Sequence, residues 1–89
     1  MSASASDPAV VAELLGDLTR AIVDEPDAVQ VTPLADEDDG SVVLELRVDD
    51  GDYGKVIGRG GRTAYALRTV VKVAAAHHDQ RVLVDIVDD

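Results

Sequence analysis

Apolar residues recur at steps of three and four positions in the first part of the chain, which is the spacing of one face of a helix. The residues of this predicted face are Val11, Leu14, Leu15, Leu18 and Ile22. Asp7 and Pro8 supply a capping oxygen followed by a proline, a combination that favours the first turn of a helix. Pro26 disfavours the α conformation at the residue before it, so we expect the helix to end ahead of this proline.

Three later segments alternate between apolar and polar residues, as strands do when one face is covered. The first is short, with Val29 and Val31 alternating, and Pro33 either confines it to the edge of a sheet or ends it. The second covers residues 41–49 and the last covers residues 81–87. The residues predicted to face inward in these two strands are Val42, Leu44, Leu46, Val48, Val82, Val84 and Ile86. One covered face and one wet face suit a sheet with helices on one side.

Two helical segments lie between the second and third predicted strands. Tyr53–Ile57 forms a short helix, Gly58-Arg-Gly-Gly61 interrupts the pattern, and the chain is again helical from Arg62 to about residue 78. The predicted order is therefore helix, strand, strand, short helix, long helix, strand, which is an α+β fold. We expect residues 1–7 to form a disordered N-terminal tail and residues 8–89 to form a single domain.

The composition allows one small domain and narrows its chemistry. The chain has 89 residues, no Cys, and two aromatic residues, both of them Tyr. A chain of this length has no room for a second core. Without Cys it has neither disulfides nor a Cys-based zinc or redox site. The formal net charge of −10, taken alone, argues against phosphate binding and favours an acidic adaptor.

That charge is unevenly distributed along the chain. Residues 1–50 carry a net charge of −11, residues 51–81 carry +4, and residues 82–89 carry −3. Chance clustering of basic residues on one solvated helix would explain the positive segment. The same segment also contains the interrupting glycines, however, and so it becomes the first place to look for an anion site.

The glycine segment joins the two predicted helices with almost no side-chain bulk. Glycine adopts positive φ without a Cβ clash, so a tight turn and a close approach by another backbone are both available. The segment leads into the N-terminus of the long helix, where N–H groups and the helix dipole favour an anion. Lys55, Arg59 and Arg62 add positive charge. The segment is therefore a candidate phosphate site; the alternative is a turn that only joins two helices.

Three glycine motifs compete for this segment. A mononucleotide P-loop needs Gly, four residues, and then Gly-Lys-Ser/Thr, but Val56 stands where its first glycine would be. A dinucleotide fingerprint needs a strand before the loop and Gly or Ala at its last position, where this chain has Thr63. The Gly-x-x-Gly loop of KH domains lies between two helices and clamps single-stranded nucleic acid. Only this third motif fits the residues, the flanking helices and the local charge.

The segment Gly54-Lys-Val-Ile-Gly-Arg-Gly-Gly-Arg-Thr-Ala-Tyr-Ala-Leu-Arg-Thr-Val-Val71 resembles the signature of small bacterial single-KH RNA-binding proteins of the KhpA family. The resemblance covers nearly the whole chain. It implies a type II KH domain, α-β-β-α-α-β, with three helices on one face of a three-stranded mixed sheet. It also implies cytoplasmic RNA binding, and either self-association or pairing with a larger KhpB (Jag-like) protein. The loop glycines of the family then correspond to Gly58 and Gly61, and its variable pair to Arg59 and Gly60.

We therefore predict that the loop captures single-stranded RNA through its backbone. The N–H groups around Gly60, Gly61 and Arg62 would contact phosphates, and nearby bases would lie against apolar side chains. On the long helix, Tyr65, Arg68 and Lys72 share a polar face that either contacts RNA or is only solvated. The predicted RNA-binding residues are Lys55, Val56, Ile57, Gly58, Arg59, Gly60, Gly61, Arg62, Tyr65 and Arg68.

One face of the long helix would cover the sheet and consists of Ala64, Leu67, Val71, Ala74 and Ala75. Beside this face and the polar face, a third stripe makes the apolar arc of the helix wider than one core needs. The stripe consists of Ala66, Val70, Val73 and His77. Because exposed apolar stripes tend to mark partners, we predict a homodimer or a heterodimer through this face. The alternative is that the stripe packs under the first helix.

No other chemistry is expected from the sequence. His77 and His78 are adjacent, and adjacent residues on a helix do not share a face, so we predict neither a metal site nor a cofactor. No nucleophile has a base and an orienting group at a suitable spacing, so we do not expect an enzyme. We expect no membrane segment, since no apolar run approaches the ~20 residues that a span needs. The predicted function is RNA binding, as an RNA chaperone or post-transcriptional regulator; the alternative is an adaptor that works by pairing with another protein.

Overall fold

The computed structural model of the chain describes residues 8–36 and 38–88. Three helices and three strands follow one another in the predicted order, so the predicted α+β fold is confirmed. The predicted tail at residues 1–7 lies outside the described residues. Short 3-10 turns lie at Pro26–Ala28, Asp50–Asp52 and Arg59–Gly61. The six elements are α1 Pro8–Arg20, β1 Gln30–Ala35, β2 Val42–Arg47, α2 Tyr53–Ile57, α3 Arg62–His77 and β3 Val82–Ile86.

Helix α1 buries a face that includes a polar residue. Val11 and Leu15 are buried as predicted, but Leu18 is only half-buried and Thr19 is fully buried. The Thr19 hydroxyl donates to the Leu15 carbonyl at 2.7 Å. This hydrogen bond satisfies the hydroxyl, which can then enter the core without the cost of an unpaired polar group.

The sheet has the strand order β1-β2-β3, with β1 antiparallel to β2 and β2 parallel to β3. The central strand β2 buries Leu44 and Leu46 completely, while Val43, Glu45 and Arg47 on its other face are half-buried. The three helices therefore cover one face of a three-stranded mixed sheet. This is the type II KH architecture that the resemblance implies, and that prediction is confirmed.

Strand β1 lies at the edge of the sheet, as Pro33 predicts. It is longer than expected and continues beyond the proline to Ala35. The Asp36 N–H donates to the Ser41 carbonyl at 2.8 Å, and hydrogen-bonded pairs alternate along an antiparallel ladder. Every second residue from Asp36 therefore directs its N–H to β2, and Pro33, three residues away, is not among them. The Pro33 nitrogen points away from β2, so the missing N–H costs no ladder bond.

Candidate functional site

The loop between α2 and α3 is built from three glycines with positive φ. Gly58 has φ 76° and ψ 170°, Gly60 has φ 63°, and Gly61 has φ 78°. A Cβ on Gly58 would lie 2.3 Å from Thr63 Oγ1 and 2.8 Å from the Thr63 nitrogen. Only glycine fits at this position, because the start of α3 packs directly against it.

Gly60 and Gly61 differ from Gly58 in their surroundings. A Cβ built on either of them would meet no atom within 4 Å. These two glycines are therefore needed for backbone conformation, and the space around them stays open. A ligand can approach the loop backbone closely on this side.

Two loop amides that we expected to contact phosphate already have acceptors. The Gly61 N–H donates to the Gly58 carbonyl at 3.1 Å, and the Arg62 N–H donates to the Arg59 carbonyl. The tight turn thus uses these donors itself in the ligand-free loop, and phosphate contact through them stays a prediction. Arg59 and Arg62 are both exposed at the loop, so their side chains can also reach a phosphate there.

Lys55 lies on α2 and is paired with an acid from another part of the chain. Its Nζ is 3.0 Å from Asp24 Oδ2, and both side chains are largely exposed. The hydrogen bond from the ammonium to Asp24, with the negative charges of Asp24 and Asp52, raises the pKa of Lys55 above its ordinary value. Lys55 therefore remains charged, but it shares its charge with Asp24 rather than presenting all of it to the loop.

Val56 and Ile57 are adjacent in sequence but have different environments. Val56 has 0% of its surface exposed and belongs to the core. The prediction that it contacts bases is wrong, because the α2 face that carries it packs inward. Ile57 is 40% exposed and lies at the last position of α2, directly before the loop. Of this pair, Ile57 is therefore the residue that presents apolar surface beside the loop.

The polar face of α3 lies beside the free edge of β3, and the surface between these two elements is named the α3–β3 groove. The Val42 N–H donates to the Arg81 carbonyl, and the Val87 N–H donates to the Leu46 carbonyl. Since peptide groups alternate along a strand, those of Val82, Val84 and Ile86 point away from β2. Arg68 crosses to this edge, where its Nε donates to the Val84 carbonyl at 3.3 Å. Tyr65, one turn earlier on α3, is 73% exposed.

Two residues that the sequence analysis missed hold α2 in position. Asp52, only 2% exposed, accepts hydrogen bonds from the Asp24 and Glu25 N–H groups at 3.2 Å and 3.0 Å. The Tyr53 hydroxyl donates to the Val87 carbonyl, which ties the start of α2 to the end of β3. The available sequence signal was an Asp-Gly-Asp turn before a helix, and this signal does not reveal partners so distant along the chain.

The third stripe of α3 lies on the surface. Val70 is 46% exposed, Val73 is 57% exposed, and Ala66 and His77 are also exposed. The alternative that this stripe packs under α1 is therefore wrong. A shallow depression of about 270 Å³, lined by Val73, Ala76 and His77, continues the stripe towards the end of α3. Whether the stripe is a dimer surface stays a prediction.

Within residues 8–36 and 38–88, no helix combines the length and the apolar character needed to cross a membrane. Over the same residues, no group of three or more His, Cys, Asp or Glu side chains is arranged to hold a metal ion.

Comparison with known proteins identifies the family. The sequence model described as KhpA/KhpB, KH domain, matches residues 12–86. A protein of Clostridium acetobutylicum named RNA-binding protein KhpA is 47% identical over 75 residues, which is 84% of this chain and 97% of that protein. Proteins of the same name from Halalkalibacterium halodurans and Leifsonia xyli are 49% and 48% identical, covering 84% and 90% of this chain and 96% and 100% of their own.

No solved structure matches the chain. The relatives are named as RNA-binding proteins and not as enzymes, in agreement with the prediction that this chain has no catalytic site. The match covers most of the described residues and includes α2, the glycine loop and α3. The chain belongs to the KhpA/KhpB family of KH domains.

Proposed function

We propose that this protein binds single-stranded RNA through the Gly58–Gly61 loop and acts in the cytoplasm as an RNA chaperone or post-transcriptional regulator. The observation that carries the proposal is the open backbone at Gly60 and Gly61, flanked by the exposed side chains of Arg59 and Arg62. The names of its relatives support RNA as the ligand. KH loops of this kind clamp nucleic acid by its backbone.

The RNA backbone would pass over the loop, with its phosphates near Arg59 and Arg62. Its bases would then turn into the groove between α3 and the free edge of β3. Ile57, Tyr65 and Arg68 offer an apolar surface, an aromatic ring and a guanidinium along this path. Base–aromatic stacking tolerates many sequences, so one exposed tyrosine suits broad base recognition.

Replacing Arg59 and Gly60 together by Asp tests the loop directly. The structure tolerates the change, because Gly60 has open space around it and Asp is among the residues that adopt positive φ most readily. Two negative charges beside the RNA backbone should abolish binding in fluorescence anisotropy with single-stranded RNA. Unchanged affinity, with an unchanged circular dichroism spectrum, would refute the loop as the binding site.

A matched control makes the same chemical change elsewhere. Gly40 also has positive φ, at 75°, with nothing within 4 Å of a built Cβ, and Arg20 is exposed at the end of α1. The variant Arg20→Asp/Gly40→Asp alters the net charge equally and should keep most of the RNA affinity. Equal loss in both variants would mean that overall charge, and not the loop, governs binding.

The exposed stripe of α3 favours a second function, as an adaptor that pairs with another chain. Its partner would be a second copy of this protein or a larger KhpB (Jag-like) protein. The two functions are compatible, since the stripe and the polar face of α3 are different sides of one helix. Salt-sensitive binding to single-stranded RNA distinguishes them, because an adaptor alone would bind RNA no better than the Arg59→Asp/Gly60→Asp variant does.

A further inference from the structure

A cavity lies at the far end of the α3–β3 groove, away from the glycine loop. It has a volume of about 390 Å³ and is lined by Lys72, Gln80, Arg81, Val82 and Leu83. Lys72 lies one turn after Arg68, so both side chains are on the same face of α3. Val82 lies two residues before Val84, the residue whose carbonyl accepts from Arg68. The cavity therefore lies on the same face of α3 and at the same strand edge as Arg68, further from the loop.

The chemistry of the lining fits one nucleotide. Lys72 and Arg81 are exposed cations that can neutralise a phosphate. The N–H and C=O groups of Val82 point away from β2 at the free edge of β3, where they can form hydrogen bonds with a base. Leu83 is 51% exposed and gives the face of that base an apolar surface. A volume of this size lies within the range of small-molecule sites.

An acidic residue close to Arg81 disfavours further RNA phosphates at this end of the groove. Hydrogen bonds from the hydroxyl and N–H of Ser41, together with the charge of Arg81, lower the pKa of Asp39 below its ordinary value. This carboxylate therefore stays ionised at neutral pH close to Arg81. A strand that continued beyond the cavity would meet this negative charge, and the RNA track would end here.

The separation between the cavity and the loop corresponds to several nucleotides. Lys72 follows Arg62 by ten residues, which is about 15 Å along a helix. A KH loop clamps about four nucleotides, and stacked nucleotides advance about 3.4 Å each. A strand held at the loop would thus reach the cavity with about its fifth nucleotide.

We propose that the cavity lined by Lys72, Arg81, Val82 and Leu83 is an additional nucleotide site, which holds one further residue of a single-stranded RNA already bound at the loop. The proposal rests on the proposed function. It predicts that the affinity for RNA depends on length, with a step between strands that end at the loop and strands that reach the cavity.

The test compares random-sequence RNA pools of four and eight nucleotides in fluorescence anisotropy. The wild-type protein should bind the longer pool about tenfold more tightly, as one extra base and phosphate contact would give. The variant Lys72→Gln/Arg81→Gln should lose this gain and keep the affinity for four nucleotides. The control Arg20→Gln/Arg47→Gln removes the same charge away from the groove and should keep the gain.

The outcomes separate this site from the loop. Equal binding of both pools by the wild type, or equal loss for both pools in the Lys72→Gln/Arg81→Gln variant, would overturn the additional site and leave the loop proposal standing. Wild-type protein that binds neither pool would overturn both. NMR amide shifts provide a readout without any variant: Val82 and Leu83 should respond to eight nucleotides and not to four, and a response to neither pool would also overturn the site.

Discussion

The glycines of the loop have separate roles at the residue scale, although all of them have positive φ. At Gly58 a neighbour occupies the position of a Cβ, whereas Gly60 and Gly61 face open space. Glycine at Gly58 is thus required by packing, and at the other two it is required by conformation alone. The loop combines one rigid contact with α3 and one accessible stretch of backbone.

Replacing Gly58 by Ala should lower the free energy of unfolding by more than about 2 kcal/mol. The conformation of Gly58, with φ 76° and ψ 170°, is almost exclusive to glycine and costs an L-residue about 1–3 kcal/mol. The contact with Thr63 adds to this cost because the Thr63 backbone nitrogen cannot easily move. Gly60→Ala should cost only about 1–2 kcal/mol, because Gly60 has a left-handed conformation but no neighbour at the position of a Cβ. Urea unfolding followed by circular dichroism measures both variants, and equal costs would contradict the packing role of Gly58.

At the element scale, helix α3 has three faces, and each has different surroundings. One face covers the sheet, one borders the β3 groove through Arg68, and one exposes the stripe of Ala66, Val70, Val73 and His77. If the stripe is an interface, pairing would leave the groove side of α3 accessible in each copy.

Replacing Val70 by Asp should give a folded monomer. Val70 is 46% exposed, so the charge enters no core, but it would be buried without a partner in an apolar interface. Multi-angle light scattering measures the mass of the particle, and Leu34→Asp is the control because Leu34, on β1, is 47% exposed. A Val70→Asp protein that remains dimeric, or a wild-type protein that is monomeric, would contradict the interface.

At the scale of the whole molecule, the charge separates a binding region from its surroundings. The net charge is −10, yet residues 51–81, which include the loop and α3, carry +4. If RNA binds as proposed, the acidic remainder would repel RNA that approaches from other directions and would weaken the overall affinity. Two loops on one strand would compensate through effective concentration.

Salt dependence should therefore report how many loops act together. Each phosphate neutralised contributes about −0.7 to the slope of log affinity against log salt for single strands. Arg59 and Arg62 of one loop predict a slope of about −1.4, and two loops on one RNA predict about −2.8. Anisotropy titrations over a range of salt concentrations measure the slope, and a value near zero would contradict phosphate contact altogether.

The sequence was sufficient to predict features that depend on local periodicity. The element order, the edge position of β1 and the buried face of α3 all follow from the spacing of apolar residues and from Pro33. Features that depend on distant partners could not be predicted in this way. Val56 is buried because the sheet and α3 surround it, and Lys55 is paired because the chain brings Asp24 to it. Asp52 likewise binds backbone N–H groups 27 and 28 residues away.

The position of Pro33 on the outer side of β1 has a consequence for behaviour at high concentration. An exposed strand edge is a template on which further copies of a chain can add strands and aggregate. Pro33 removes a hydrogen-bond donor from the middle of this edge, and on the opposite edge Arg68 occupies the Val84 carbonyl. Both sides of the sheet are thereby protected against strand addition. We therefore expect a chain that is 46% hydrophobic to accumulate without forming extended sheets. If the α3 stripe is an interface, as predicted, copies would assemble through this helix and not through the strand edges.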